Sequence, residues 1–195
     1  RYCRINYPND IAIGYVTSAG GTGRALAVSS NLMYVGGSIR TGGSIRYNLA
    51  ALDAVTGTAT SWNPGAKGTY VRTLGFSGTN VYLGGSFTNV LNVARTNLAA
   101  VSTNGVLFTA WDPAPNSTVY AMSISGTNAY LGGAFTTVDG NTRRGLAAVS
   151  TSTGSVTTWN PNVTDTKGSA VIYALLLSGS TVYAGGSFID VGGSN

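Results

Sequence analysis

A single repeat constrains this chain more than any other feature. Tyr34-Val-Gly-Gly37, Tyr82-Leu-Gly-Gly85, Tyr130-Leu-Gly-Gly133 and Tyr183-Ala-Gly-Gly186 recur at spacings of 48, 48 and 53 residues. Two unrelated landmarks keep the same period: Leu49, Leu98 and Leu146 each open a Leu-Ala-Ala triplet, and Trp62, Trp111 and Trp159 each open a Trp-x-Pro element. The longer last spacing marks an insertion near Thr164 to Ser169. Self-similarity at a fixed period overrides local readings, because every copy must bury its apolar surface in the same way.

Within one copy, apolar runs alternate with turn residues. Val119 to Ser125, Ala129 to Phe135, Gly145 to Ser150 and Ser155 to Trp159 read as four strands of an antiparallel meander. Both faces of these strands carry apolar residues, so each meander needs cover on both sides. The fold class that follows is all-β: a β-propeller of four-stranded antiparallel blades, about four of them or a four-blade piece of a larger propeller. The blades fall at 23–66, 70–115 and 118–163. Residues 1–17 and 170–190 read as complementary halves of one further blade split between the termini, within a single domain 1–195. The Gly-Gly pair weakens a strand and therefore implies a close neighbour. The one Trp of each repeat is the expected neighbour.

The pattern V-Y-x-L…S-G-x-x-x-Y-L-G-G-x-F…R…L-A-A-V…G…W-x-P resembles the delta-60 repeat type of bacterial β-propeller. The resemblance runs from Gly23 to Phe188, with a degenerate copy at Arg1 to Tyr15 that includes Arg4-Ile-Asn6. It implies an exported, non-enzymatic surface propeller.

Composition agrees with strands and turns. Charged residues are 9% of the chain, every acid is an aspartate, and lysine occurs only as Lys67 and Lys167, so the residues that solvate helix faces are missing. The net charge of +5 comes from scattered arginines, with none of the basic and aromatic interleaving that tracks a phosphate backbone. Nucleic acid is not an expected partner. No run of about 18 apolar residues exists, which argues against insertion into a membrane. The chain opens at Arg1 with no initiator Met or signal peptide, and so reads as the mature or truncated product of a longer precursor. Abundant Ser, Thr, Gly and Asn suggest an extracellular, cell-surface location.

No enzyme is expected. The chain has no histidine, no glutamate and one cysteine, Cys3, so the common general bases and nucleophile partners are missing. Asp10, Asp53, Asp112, Asp139, Asp165 and Asp190 fall at different repeat positions and suit turns. Asp139-Gly-Asn141 and Asp190 match no calcium-loop pattern, and no catalytic, metal or cofactor site is assigned.

Four sets of residues remain as candidates. Arg46, Arg95 and Arg143 stand three residues before each Leu-Ala-Ala. Either they form a cationic face for anionic glycans or partner carboxylates, or they bind loop carbonyls and stack on the tryptophans; the structural role is the favoured one. Asn116 and Asn162 open Asn-x-Thr sequons in the loops between blades, which would make the protein a glycoprotein. Trp62, Trp111 and Trp159 with Tyr34, Tyr82, Tyr130 and Tyr183 read as repeat core, with sugar-stacking platforms as the alternative. The expected function is a structural or adhesive module of a surface layer, filament or adhesin that self-associates, or binds other surface proteins, through the split blade. A polysaccharide-binding lectin is the alternative, and a truncated enzyme scaffold a third.

Overall fold

Val, Leu and Tyr alternating with small polar residues and interrupted by Gly and Asn form hairpins rather than helices. The computed structural model describes residues 22–38, 46–165 and 170–192, and these contain strands and turns with no helix. Sheet I comprises β1 (Thr22–Ser29), β2 (Leu32–Ser38) and β3 (Leu49–Asp53). Sheet II comprises β4 (Ala66–Ser77), β5 (Asn80–Val90) and β7 (Leu98–Ser102), with the short β6 (Val93–Ala94) on the end of β5. Sheet III holds β8 (Val119–Ser125), β9 (Asn128–Gly133) and β12 (Leu146–Ser150); β10 (Thr137–Val138) and β11 (Asn141–Thr142) pair beside it. Sheet IV is the hairpin of β13 (Val171–Ser178) and β14 (Thr181–Ser187). All pairings are antiparallel.

The fourth strand expected in each repeat shrinks to a stub. Ala59, Leu107 and Val156 each make one isolated bridge, to Leu52, Val101 and Val149. In sheet I the stub is held by Asp53 N–H to Thr58 O and Thr60 N–H to Ala51 O, both 2.9 Å. Three or four residues past the bridge the chain turns to pack its Trp, and a proline follows two residues later, so the ladder cannot continue. The half-blade expected at 1–17 lies outside the described residues.

The sheets pack face to face in chain order, I on II, II on III, III on IV. Alternation serves both faces of β5: Val81 and Leu83 enter the core shared with sheet I, and Tyr82 enters the core shared with sheet III. The Gly-Gly pair lies at these joints, but no indole presses on it. A Cβ on Gly36 would meet Val71 Cγ1 at 2.6 Å, on Gly84 Val119 Cγ1 at 2.8 Å, and on Gly132 Ile172 Cγ2 at 2.7 Å. The first glycine is thus a hole for a β-branched knob on the next sheet's first strand. The second glycine (Gly37, Gly85, Gly133, Gly186) is pressed against a backbone carbonyl of its own sheet, Thr22, Tyr70, Thr118 and Val171 respectively.

That second contact comes from a β-bulge. Gly37 and Gly36 face Gly23 and Ala25, leaving Arg24 as the extra residue, and Gly85 and Gly84 likewise face Val71 and Thr73 across Arg72. Tyr120 and Tyr173 are the extra residues of β8 and β13. A bulge bends its strand toward the partner and re-aims the extra side chain.

Candidate functional site

The first strand of every sheet is an edge strand, and the four bulges place Arg24, Arg72, Tyr120 and Tyr173 on the edges where neighbouring sheets meet. Each stands twelve residues before the first glycine of its repeat. Tyr70, two residues before Arg72, completes the row. The Arg24 guanidinium lies 4.7 Å from the centre of the Tyr70 ring, and that of Arg72 lies 5.5 Å from the Tyr120 ring. Tyr120 and Tyr173 face each other at 5.3 Å, tilted by 51°. Burial, then the neighbouring Tyr70 phenol, raises the Tyr120 hydroxyl above the ordinary tyrosine range, so it stays a neutral donor at physiological pH. Neither guanidinium has an ion-pair partner among the described residues. Residues at this period were not among the sequence candidates, because nothing in composition distinguishes a bulge; the twelve-residue offset from Gly-Gly was the available signal.

Arg46, Arg95 and Arg143 do not form a cationic face. Arg46 donates to Trp62 O at 2.6 Å and to Thr60 O, Arg95 to Thr109 O and Ala94 O, and Arg143 to Thr157 O and Thr142 O, both at 2.8 Å. Arg46 and Arg95 are buried, and Arg95 also pairs with Asp112 at 3.2 Å. The planar fork clamps the Trp-x-Pro stub to the loop before the third strand, the carbonyl-binding role. Lysine keeps the charge but cannot bridge carbonyls with the same fork. Arg95→Lys is therefore expected to lower stability by about 1–3 kcal/mol. Thermal unfolding checks this, and an unchanged midpoint would mean the clamp contributes nothing.

The next residue pair shows a signal that sequence reasoning passed over. Asn48 and Asn97 sit at φ +61° and +63°, and the equivalent Gly145 at +68°. Asn and Gly are the residues that tolerate this left-handed backbone. The two asparagines also donate across the joint, Asn48 to Ala66 O at 2.9 Å and Asn97 to Pro115 O at 2.9 Å.

The aromatic repeat positions divide by their cover. Tyr34 packs edge-on against Trp62 at 5.0 Å, Tyr82 against Trp111 at 5.0 Å, and Tyr130 against Trp159 at 5.2 Å. Trp62 and Trp111 donate to Ser102 O at 3.0 Å and Ser150 O at 2.8 Å in the following sheet, and Tyr82 donates to Thr151 O at 2.7 Å. Tyr34, Tyr82, Trp62 and Trp111 are buried core, which removes them as sugar platforms. Tyr130 and Trp159 are half-buried. Tyr183 is not core: it is 58% exposed, because no described strand lies over sheet IV's outer face.

Both sequon asparagines are exposed. Asn116 is nonetheless engaged, donating to Thr136 Oγ1 at 2.8 Å and accepting from Thr136 N–H at 2.9 Å, so a glycan there would replace that donated bond. The loop between sheets II and III and the loop joining β9 to β12 therefore share one end of the molecule, as strand alternation requires. Asp53 caps a turn, accepting from the Thr56 and Val55 N–H groups; the Thr56 bonds contribute most to holding its carboxyl below the ordinary value. Among the described residues no three His, Cys, Asp or Glu side chains come together. A recess of about 110 Å³ lined by Phe135, Arg144 and Asp165 is far smaller than typical ligand clefts of roughly 300–1,000 Å³.

No protein-family model and no curated protein matches this chain. Among the solved structures that share its fold are two computationally designed proteins. The computationally designed Ika4 protein superposes with a TM-score of 0.61 at 16% identity, over 90% of this chain and 93% of that one. The computationally designed Ika8 protein superposes with a TM-score of 0.55 at 18% identity, over 88% of this chain but 45% of that one, so the present chain spans under half its length.

Proposed function

We propose that the chain is a β-propeller module of the delta-60 repeat type, a non-enzymatic structural or adhesive building block of an exported surface assembly that joins copies of itself end to end. The observation that carries this reading is a joint made three times with the same parts and, among the described residues, left open at both ends of the stack. Sheet IV exposes Leu176 (64%) and Tyr183 (58%) at registers that lie under the next sheet in sheets I to III. Sheet I exposes Leu26 (42%) and Val28 (54%), the registers of Leu74 and Phe76, which pack into the core between sheets I and II. Gly185, the hole of sheet IV, has only Ala174 Cβ within 4 Å, at 3.9 Å.

A contact that uses one surface on each side is heterologous, and it propagates into open assemblies when its rotation does not close. The mating is incomplete in one respect: Gly23 stands where Val71, Val119 and Ile172 supply the knob. The joint between copies is therefore weaker than the internal ones, which suits reversible assembly.

Variants at exposed positions test the reading with little effect on folding. Leu176→Asp blocks one face and Val28→Asp the other, so each variant alone is expected to stay monomeric and an equimolar mixture to stop at dimers. Gly23→Val adds the missing knob at a position where a Cβ meets nothing within 4 Å, and is expected to tighten association. Assemblies unaffected by all three variants would overturn the reading.

A further inference from the structure

We propose that Tyr120 and Tyr173 form an oxidative cross-linking site, a phenol pair that a peroxide-driven one-electron oxidant joins as dityrosine, fastening sheet III to sheet IV. The proposal does not rest on end-to-end assembly, since both residues lie in one chain. Tyr120 and Tyr173 are the extra residues of the bulges in β8 and β13. They share one repeat position, which Arg24 and Arg72 fill in the two preceding copies. Only the joint between sheets III and IV therefore sets tyrosine against tyrosine at this register.

Contact between two phenol rings separates this pair from the other tyrosines. The centroids lie 5.3 Å apart with the planes tilted by 51°. Tyr34, Tyr82 and Tyr130 instead meet a tryptophan, and Tyr34 meets Phe76 as well. Among the described residues no other two tyrosine rings pack on each other. Tyr173 is 51% exposed and Tyr120 is half-buried, so an oxidant reaches one ring and finds the second in contact with it. Hydrogen bonds to the Tyr70 and Thr118 side chains hold the Tyr120 hydroxyl, and the Arg72 guanidinium lies 5.5 Å from its ring centre. The buried partner is thus fixed in orientation while the exposed one is free to adjust.

The chemistry needs hydrogen peroxide and a haem peroxidase as co-reactants. Each phenol gives up one electron and one proton and becomes a phenoxyl radical, whose unpaired spin is shared with the ring carbons ortho to oxygen. A carbon–carbon bond forms between one ortho carbon of each ring. The hydrogen on each bonded carbon then moves to its own ring's oxygen, which restores both phenols. The net change is the loss of two hydrogen atoms, which reduce one hydrogen peroxide to two waters. The bond ties the two-stranded sheet IV, a hairpin of marginal stability by itself, to its three-stranded neighbour. A cross-link also restricts the unfolded chain, and this one joins residues at a spacing of 53.

Treatment of the dilute full chain with a haem peroxidase and limiting hydrogen peroxide, followed by tryptic digestion and tandem mass spectrometry, tests the proposal. The expected product runs as a monomer under denaturing conditions, shows dityrosine fluorescence, and yields one peptide pair joined at Tyr120 and Tyr173 and lighter by two hydrogens. Its thermal midpoint is expected to rise above that of the untreated chain. Tyr120→Phe and Tyr173→Phe should each lose the link within the chain, whereas Tyr183→Phe, which removes a more exposed phenol at 58%, should keep it. Tyr173→Phe, at an exposed position, keeps the test valid if Tyr120→Phe melts early. A chain that forms no dityrosine, a link from Tyr120 to Tyr70, dityrosine found only between chains, or a link that survives Tyr173→Phe would each overturn the proposal.

Discussion

Trp111→Ala is expected to lose about 3–5 kcal/mol of stability, the range for removing a large buried aromatic side chain. The indole is fully buried between sheets II and III, meets Tyr82 at 5.0 Å, and donates to Ser150 O at 2.8 Å. Its removal opens a cavity and takes one of two donors from the Ser150 carbonyl, which keeps the Gly154 N–H at 2.9 Å. Trp111→Phe keeps most of the volume but not the donor, and should lose about 1–2 kcal/mol. Urea unfolding midpoints check both. The same truncation at the half-buried Trp159 should cost less, because less of its surface leaves water on folding. An unchanged midpoint for Trp111→Ala would contradict its place in the core.

Gly85→Ala has the second largest expected effect, and its neighbours separate two causes. A Cβ on Gly85 runs into the Tyr70 carbonyl and lies 2.9 Å from Val71 Cα, both backbone atoms held by the sheet. A Cβ on Gly84 meets Thr73 Cγ2 at 2.7 Å and Val119 Cγ1 at 2.8 Å, side-chain atoms and not backbone. Overpacking against side chains costs about 1–3 kcal/mol, so Gly84→Ala belongs in that range and Gly85→Ala at roughly 3 kcal/mol or above. Gly185→Ala repeats the Gly84 change where the nearest atom is Ala174 Cβ at 3.9 Å, and should be nearly neutral. Differential scanning calorimetry of the three variants orders them, and a silent Gly85→Ala would remove the bulge as the reason for the glycine.

The architecture was legible in residue order to an uneven depth. Period and two-faced alternation announce stacked sheets because burial acts directly on which residues are apolar, and Val81, Tyr82 and Leu83 point to the two faces expected. The reason for Gly-Gly was not legible. One glycine answers a valine or isoleucine on another sheet and the other answers a carbonyl across its own ladder, and neither neighbour is visible as a local pattern. Arg46, Arg95 and Arg143 were legible as a set but ambiguous in role, since a guanidinium recognises a carbonyl or an anion with the same donors. Tyr183 shares its sequence register with Tyr34 and Tyr82 and differs only in what covers it. The row from Arg24 to Tyr173 escaped notice because it mixes two residue types at a register that only the bulge makes equivalent.

The central claim is that the open faces of sheets I and IV are mates. Sedimentation velocity of the 195-residue chain over a wide concentration range tests it most directly. A series of species that lengthens with concentration without a fixed upper size is expected, and a monomer independent of concentration would contradict the mating of these faces.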